Sequence, residues 1–357
     1  MRIVVAAALA SLVALSSTYA QTTDFFELVE NGSSQEVQAA IDQGADVNST
    51  NPKSGFTPLM QALWSIWPNP ELIIALLKAG ANPNGRGTGG ATPLIWAGLT
   101  CRNPEVFTIL LNAGADIEGR DNSGQTPLMS AATHTKNLEV ITTLLKAGAD
   151  INARDEIGRT ALMHAASFHE NPQMITTLLI AGADIKGRDK FGNTALICAA
   201  GNNKNPVVIT TLLKAGAKID EKNEDAQTPL IKAAESNENP GIITVLLKAG
   251  ANIRAMDSSV TYFTPLLAAA TWNPNPEVIT ILLKAGARIN EKNRFGYTPL
   301  MLAANWNRNP EVLMTLLIAG ADVKAKDIFG KTVFDHAQEN KNLKGTDAYW
   351  ALNEAQY

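Results

Sequence analysis

Residues Thr126 to Arg159 read TPLMSAATHTKNLEVITTLLKAGADINARDEIGR. The stretch specifies two short helices and both of their ends. Thr126 is a helix N-cap followed by Pro127 at the first helical position, where a fixed φ and a missing N–H do no harm. Leu128, Met129, Ala131 and Ala132 give the first helix an apolar face, and Val140-Ile141 with Leu144-Leu145 make the i, i+4 stripe of the second. Lys146 complements the negative end of that helix, and Gly148 supplies the left-handed residue that stops it.

The same phase runs through the chain. The Thr-(Pro/Ala)-Leu-like triplet recurs at Thr57, Thr92, Thr126, Thr160, Thr194, Thr228, Thr264, Thr298 and Thr332, at intervals of 35, 34, 34, 34, 34, 36, 34 and 34. Gly-Ala recurs in step from Gly44 to Gly320. In seven units the second helix opens at Asn-Pro (Asn69, Asn103, Asn171, Asn205, Asn239, Asn275, Asn309), so Asn caps the free amides and Pro begins the turn. A period of this length with one helical hairpin per unit means a stacked array rather than two or three globules.

These residues resemble the ankyrin repeat, whose T-P-L-H-x-A-A, V-x-x-L-L and G-A-D-V-N segments are matched by Thr126-Pro-Leu-Met-Ser-Ala-Ala and Gly148-Ala-Asp-Ile-Asn. Two departures are systematic. The His after T-P-L is replaced by apolar residues such as Met60, Ile95, Met129 and Ile197, and the loop between helices is lengthened by its Asn-Pro. The resemblance implies an all-α solenoid of stacked helix-turn-helix units with turn or hairpin tips. It covers 21–357 as a single array: an N-terminal cap at 24–55, eight repeats over about 56–330 and a C-terminal cap at 331–357. Terminal units have one neighbour and need polar outer faces. Phe25, Phe26, Leu28 and Val29 begin the first cap, and Ser33 with Glu36 make a capping box. The segment from Gly345 to Tyr357 is expected to fold back as a last helix.

Ahead of the array stand Met1-Arg2, an apolar run from Ile3 to Leu15 broken by Ser11, and small residues at Thr18 and Ala20. The run is too short to span a bilayer and has the form of a signal peptide cut after Ala20. The expected location is therefore periplasmic or secreted. The near-balance of charge, −4 overall and −5 without Arg2, argues against a nucleic-acid surface built on bulk electrostatics. Two cysteines exclude a disulfide-stapled scaffold and a four-cysteine zinc site.

No nucleophile elbow, phosphate loop, dinucleotide fingerprint or H-E-x-x-H helix occurs, so neither an enzyme nor a cofactor is expected. Gly85-Arg-Gly-Thr-Gly-Gly90 falls at a turn tip and lacks a following Lys-Ser/Thr. Asp46, Asp116, Asp150, Asp184 and Asp322 recur in phase and read as turn formers. Cys101 and Cys198 read as packing residues, and His134 and His169 as surface contacts without a converging third metal ligand.

Function in a repeat array lives where residues depart from the repeat. Eight residues after each Thr the column reads Ser65, Thr100, His134, Phe168, Asn202, Ser236, Trp272, Trp306. Two tryptophans end it, and the tips nearby add Tyr262, Phe263, Phe295, Tyr297 and Phe329. Contiguous exposed aromatics mark interfaces. The resemblance implies that partners dock on a concave side made of tips and first-helix ends. The residues expected to bind are thus Trp272, Trp306, Phe168, His134, Tyr262, Phe263, Phe295, Tyr297 and the charged Arg308. Phe56, Trp64, Trp67 and Trp96 form a second patch that reads equally as loop core. The expected protein is a monomeric, exported, non-enzymatic scaffold for an unidentified protein partner, with no membrane span. A secreted effector aimed at host proteins, or a spacer or holdase that binds promiscuously, are its alternatives.

Overall fold

The structure is a computed structural model that describes residues 24–64, 67–259 and 262–355. The leader expected at 1–20 and Ser65 of the aligned column lie outside the described residues. The described residues form twenty α-helices and no strand, with one isolated antiparallel bridge between Lys326 and Thr332. Contacts group the chain into two compact units, one ending at Glu156 and one spanning Ile157–Tyr357.

The first unit holds α1 (Phe25–Asn31), α2 (Ser34–Asp42), α3 (Pro58–Ala62), α4 (Pro70–Lys78), α5 (Pro93–Thr100), α6 (Pro104–Asn112), α7 (Pro127–His134) and α8 (Leu138–Lys146). The second holds α9 (Ala161–Phe168), α10 (Pro172–Ile180), α11 (Ala195–Asn202), α12 (Pro206–Lys214), α13 (Pro229–Ser236), α14 (Pro240–Lys248), α15 (Pro265–Trp272), α16 (Pro276–Lys284), α17 (Pro299–Trp306), α18 (Pro310–Ile318), α19 (Val333–Ala337) and α20 (Asp347–Glu354). Within each unit, odd-numbered helices up to α19 stack on one another and even-numbered helices stack as a second layer. The C-terminal α20 packs on α18, so the chain does turn back at its end.

Helices of eight or nine residues are too short to persist alone in water, where about 12–15 residues are needed. The second layer is rich in β-branched residues, which cost a few tenths of a kcal/mol each in a helix. Burial decides the outcome: Val278, Ile279 and Leu282 of α16 are fully buried, each worth roughly 1.5–3 kcal/mol. All nine repeat threonines cap their helices, each Oγ1 accepting the backbone N–H three residues on at 3.2–3.4 Å. Gly148 stops α8 at φ +98°, and Ala149 N–H returns to Leu144 O at 3.1 Å. The aspartates after Gly-Ala do form turns; Asp150 Oδ1, for example, accepts Asn152 N–H at 2.9 Å.

A ladder of asparagines joins the repeats, nine residues after each Thr. Asn203, Asn237, Asn273 and Asn307 are buried. Each donates Nδ2–H twice to the preceding repeat; Asn273 reaches Ala234 O at 3.0 Å and Asn237 O at 2.9 Å. Each Oδ1 also accepts the N–H of the next helix's cap, as Asn273 does from Asn275 at 2.9 Å. His169 occupies this position, so it is buried rather than a surface contact, and its Nδ1 accepts Asn171 N–H at 3.2 Å. Cys101 occupies it in the first unit, its Sγ accepting Asn103 N–H at 3.3 Å. Burial pushes both thiols, Cys101 and Cys198, up to about 11.

Candidate partner-binding cleft

In the second unit the ends of α15 and α17 meet residues of the tips. There Trp272 ends α15 and Trp306 ends α17, 49% and 47% exposed. Each indole is pinned by a ring from the tip just before its own helix. Phe263 meets Trp272 edge to face at 4.6 Å, and Tyr297 meets Trp306 at 5.7 Å with planes 69° apart. Such pairs add about 0.5–1.5 kcal/mol beyond area burial. In the other repeats the residue before the Thr is Ala91, Gln125, Arg159, Asn193, Gln227 or Lys331, and it is aromatic only at Phe56 in the first unit.

Between them lies a cleft of about 520 Å³, lined by Trp272, Trp306, Tyr297, Phe263, Leu302, Thr271 and Gln227 together with Asp225, Asp257 and Ser259. The tip that builds it carries the two-residue lengthening between Thr228 and Thr264. In an ordinary tip the buried Asp189 accepts the N–H of Phe191 and of Asn193. Here Asp257 Oδ1 accepts Ser259 N–H and, six residues on, Phe263 N–H at 2.8 Å.

Phe263 is therefore not the exposed tip residue that the sequence implied. It is 5% exposed and forms the back of the cleft. Tyr297 is half-buried, and burial followed by the Asp327 charge raises its hydroxyl above the usual tyrosine range. Its other face meets His336 at 5.2 Å, which ties the cleft to the C-terminal cap. Phe168 and Arg308 are exposed but do not line the cleft, and His134 is exposed at the end of α7 in the first unit. Tyr262 and Phe295 instead flank Arg294, whose guanidinium carbon lies 5.7 and 5.3 Å from their ring centres.

A second hollow of about 1010 Å³ lies under these tips, with Arg254, Arg288, Lys292 and Arg294 around Glu291. Burial pushes Glu291 above the usual carboxylate range, against the pull of the Thr264 hydroxyl bonded to it and the Arg288 charge. In the first unit Phe56, Trp64 and Trp96 form a cluster of their own, with Trp64 and Trp96 stacked at 5.5 Å.

Models of the family described as ankyrin repeats match the chain over 65–155, 162–257, 241–327 and 266–345, and over 134–179. The chain belongs to the ankyrin repeat family. A comparison with curated proteins returned no match. Ankyrin repeats are protein-interaction modules, and the chain is a scaffold of that kind. Among the described residues no group of His, Cys, Asp and Glu could hold a metal ion, and no helix is long and apolar enough to cross a membrane.

The sequence pointed to the two tryptophans of this ankyrin array but not to Asp225, Gln227, Asp257, Thr271 or Leu302. The available signal was the longer interval before Thr264. Between Asp225 and Gln227, Ala226 sits at φ +56°, where seven other tips carry glycine. A left-handed alanine costs about 1–2 kcal/mol in strain, partly offset by the greater unfolded freedom of glycine. Ala226→Gly is therefore expected to stabilise the protein by about 0.5–1 kcal/mol, read as a rise in the urea midpoint. A fall would show that the strain is not there.

Proposed function

We propose that the protein is an exported, non-catalytic scaffold that docks one protein partner along the edge formed by the tips and helix ends of its second unit. Trp272 and Trp306 are its anchor. One observation carries the reading. Two half-exposed indoles, held in place by Phe263 and Tyr297, line a cleft large enough to take a side chain from another protein. Rigid aromatics of this kind bury large area at low entropy cost and dominate binding energies. Single truncations at such anchors cost about 2 kcal/mol or more.

The test compares affinity capture from native extract by the mature chain and by a Trp272→Ala/Trp306→Ala variant whose circular dichroism is unchanged. A one-to-one partner retained by the wild type should bind the variant at least about 100-fold more weakly. Equal retention by both moves the interface elsewhere. Weak, unsaturable binding of many proteins replaces the scaffold reading with a holdase.

Export rests on the leader-like first twenty residues. Protein recovered from the source cells should begin at Gln21 by N-terminal mass spectrometry. An intact Met1 on the folded protein overturns export and leaves the docking reading untouched.

A further inference from the structure

We infer that the cleft between Trp272 and Trp306 is a receptor for a guanidinium group, an arginine side chain presented by the protein partner. The inference deepens the docking reading and rests on it. Its basis is the combination of aromatic walls with uncompensated negative charge. Asp225 and Asp257 both line the cleft, and no lysine or arginine does. Asp257 is committed to its own tip through Ser259 and Phe263. Asp225 is exposed, and its carboxylate has no hydrogen bond or ion pair among the described residues. Of the basic side chains nearby, Arg254, Arg288 and Arg294 gather around the second hollow, and Lys222 donates to Met256 O at 3.3 Å without lining the cleft.

Each class of occupant meets this surface differently. An aliphatic chain would fill the volume but strip water from Asp225 without replacing it. A neutral polar group would gain a hydrogen bond and little from the rings. An anion would be repelled. A cation gains twice, from the negative faces of the indoles and from a charge-assisted bond to Asp225. Among cations, guanidinium is flat, weakly hydrated and forked, so it can lie against an indole while two N–H groups reach one carboxylate. Ammonium is a compact, strongly hydrated charge that can do one or the other less well. The only described non-glycine residues with positive φ, Ala226 and Tyr262, belong to the two tips that frame the cleft.

The test uses the full-length protein labelled with 5-fluorotryptophan, whose six tryptophans give fluorine signals assignable by single Trp→Phe variants. The probes are acetyl-Gly-Arg-Gly-amide and the same peptide with citrulline, lysine or leucine in place of arginine. Citrulline keeps the shape and removes the charge. The expected result is a saturable shift of the Trp272 and Trp306 signals with the arginine peptide, with a dissociation constant on the order of 1 mM. The citrulline peptide should bind at least about tenfold more weakly, and Asp225→Asn should weaken arginine binding about five- to tenfold.

Equal binding of arginine and citrulline, or tighter binding of lysine, overturns the guanidinium assignment. Shifts with the leucine peptide alone also overturn it, while leaving the tryptophans as an apolar anchor for docking. No shift with any peptide overturns it too. Docking then stands or falls on the partner capture with Trp272→Ala/Trp306→Ala, which does not depend on these peptides.

Discussion

Asn273→Ala is expected to lower the stability of the folded protein by about 3 kcal/mol, although it removes a small side chain. Asn273 is 0% exposed, and its amide serves three backbone groups at once. Nδ2 donates to Ala234 O and Asn237 O, and Oδ1 accepts Asn275 N–H, all within 3.0 Å. Truncation leaves two carbonyls and one N–H without protein partners at a buried seam. Each orphaned group costs about 1–3 kcal/mol before water enters the space left behind. The exposed Asn202, which ends α11 with a single bond to Cys198 O, is the control: Asn202→Ala should change stability by no more than about 0.5 kcal/mol.

Asn273→Asp separates hydrogen bonding from packing. It keeps the acceptor and the shape but points an oxygen at two carbonyls, so it should cost more than alanine. A milder effect for aspartate would mean that the ladder acts by filling space. Because repeat arrays lose stability locally, urea unfolding should be paired with amide exchange in α15 and α16, where protection is expected to fall first. Trp272 immediately precedes Asn273, so the ladder also fixes the wall of the cleft. Loosening it should weaken partner binding as well as folding.

The helices, their caps and the phase of the repeat were readable because each depends on residue types at fixed local positions: Thr-Pro at one start, Asn-Pro at the other, Gly at the stop. The tryptophan pair was readable as a departure from a column that, Phe168 apart, is otherwise small or polar. The ladder was not. Its position holds Cys101, Thr135, His169 and then asparagines, and nothing local says that a loop asparagine will face the preceding repeat. What those residues share is an atom that accepts the N–H two positions on. That function survives changes of side chain and leaves no single letter behind.

The acidic side of the cleft was hidden for a different reason. Asp257 stands where Asp121, Asp189 and Asp327 form tips, so a turn role accounts for it before any other. Only the lengthened loop changes what surrounds it. Phe263 looked like an exposed tip residue because it stands among the tip aromatics Tyr262, Phe295, Tyr297 and Phe329. It is buried instead, edge to face with Trp272 and with its N–H held by Asp257 six residues earlier, a contact that no local pattern announces.

The C-terminal cap should be as sensitive as the ladder, through a buried pair. His336 is 2% exposed, and its Nε2 donates to Asp327 Oδ2 at 3.0 Å. The Asp327 side chain is 0% exposed, and its other oxygen accepts the N–H groups of Phe329 and Lys331. His336→Leu keeps the volume nearly filled but leaves one carboxylate oxygen buried without its donor. Breaking a buried pair from one side costs about 3–5 kcal/mol when a charge is stranded. A loss of about 3 kcal/mol is expected, with α19 and α20 giving up amide protection before α15. Adding Asp327→Asn removes the stranded charge while keeping the turn acceptor, so the double variant should be more stable than His336→Leu alone. If it is less stable, the two positions act independently and the pair is not what holds the cap. The His336 ring also packs edge to face on Tyr297, which supports Trp306. Loss of the cap should therefore reach the cleft, broadening the Trp306 fluorine signal while leaving that of Trp96 in the first unit unchanged.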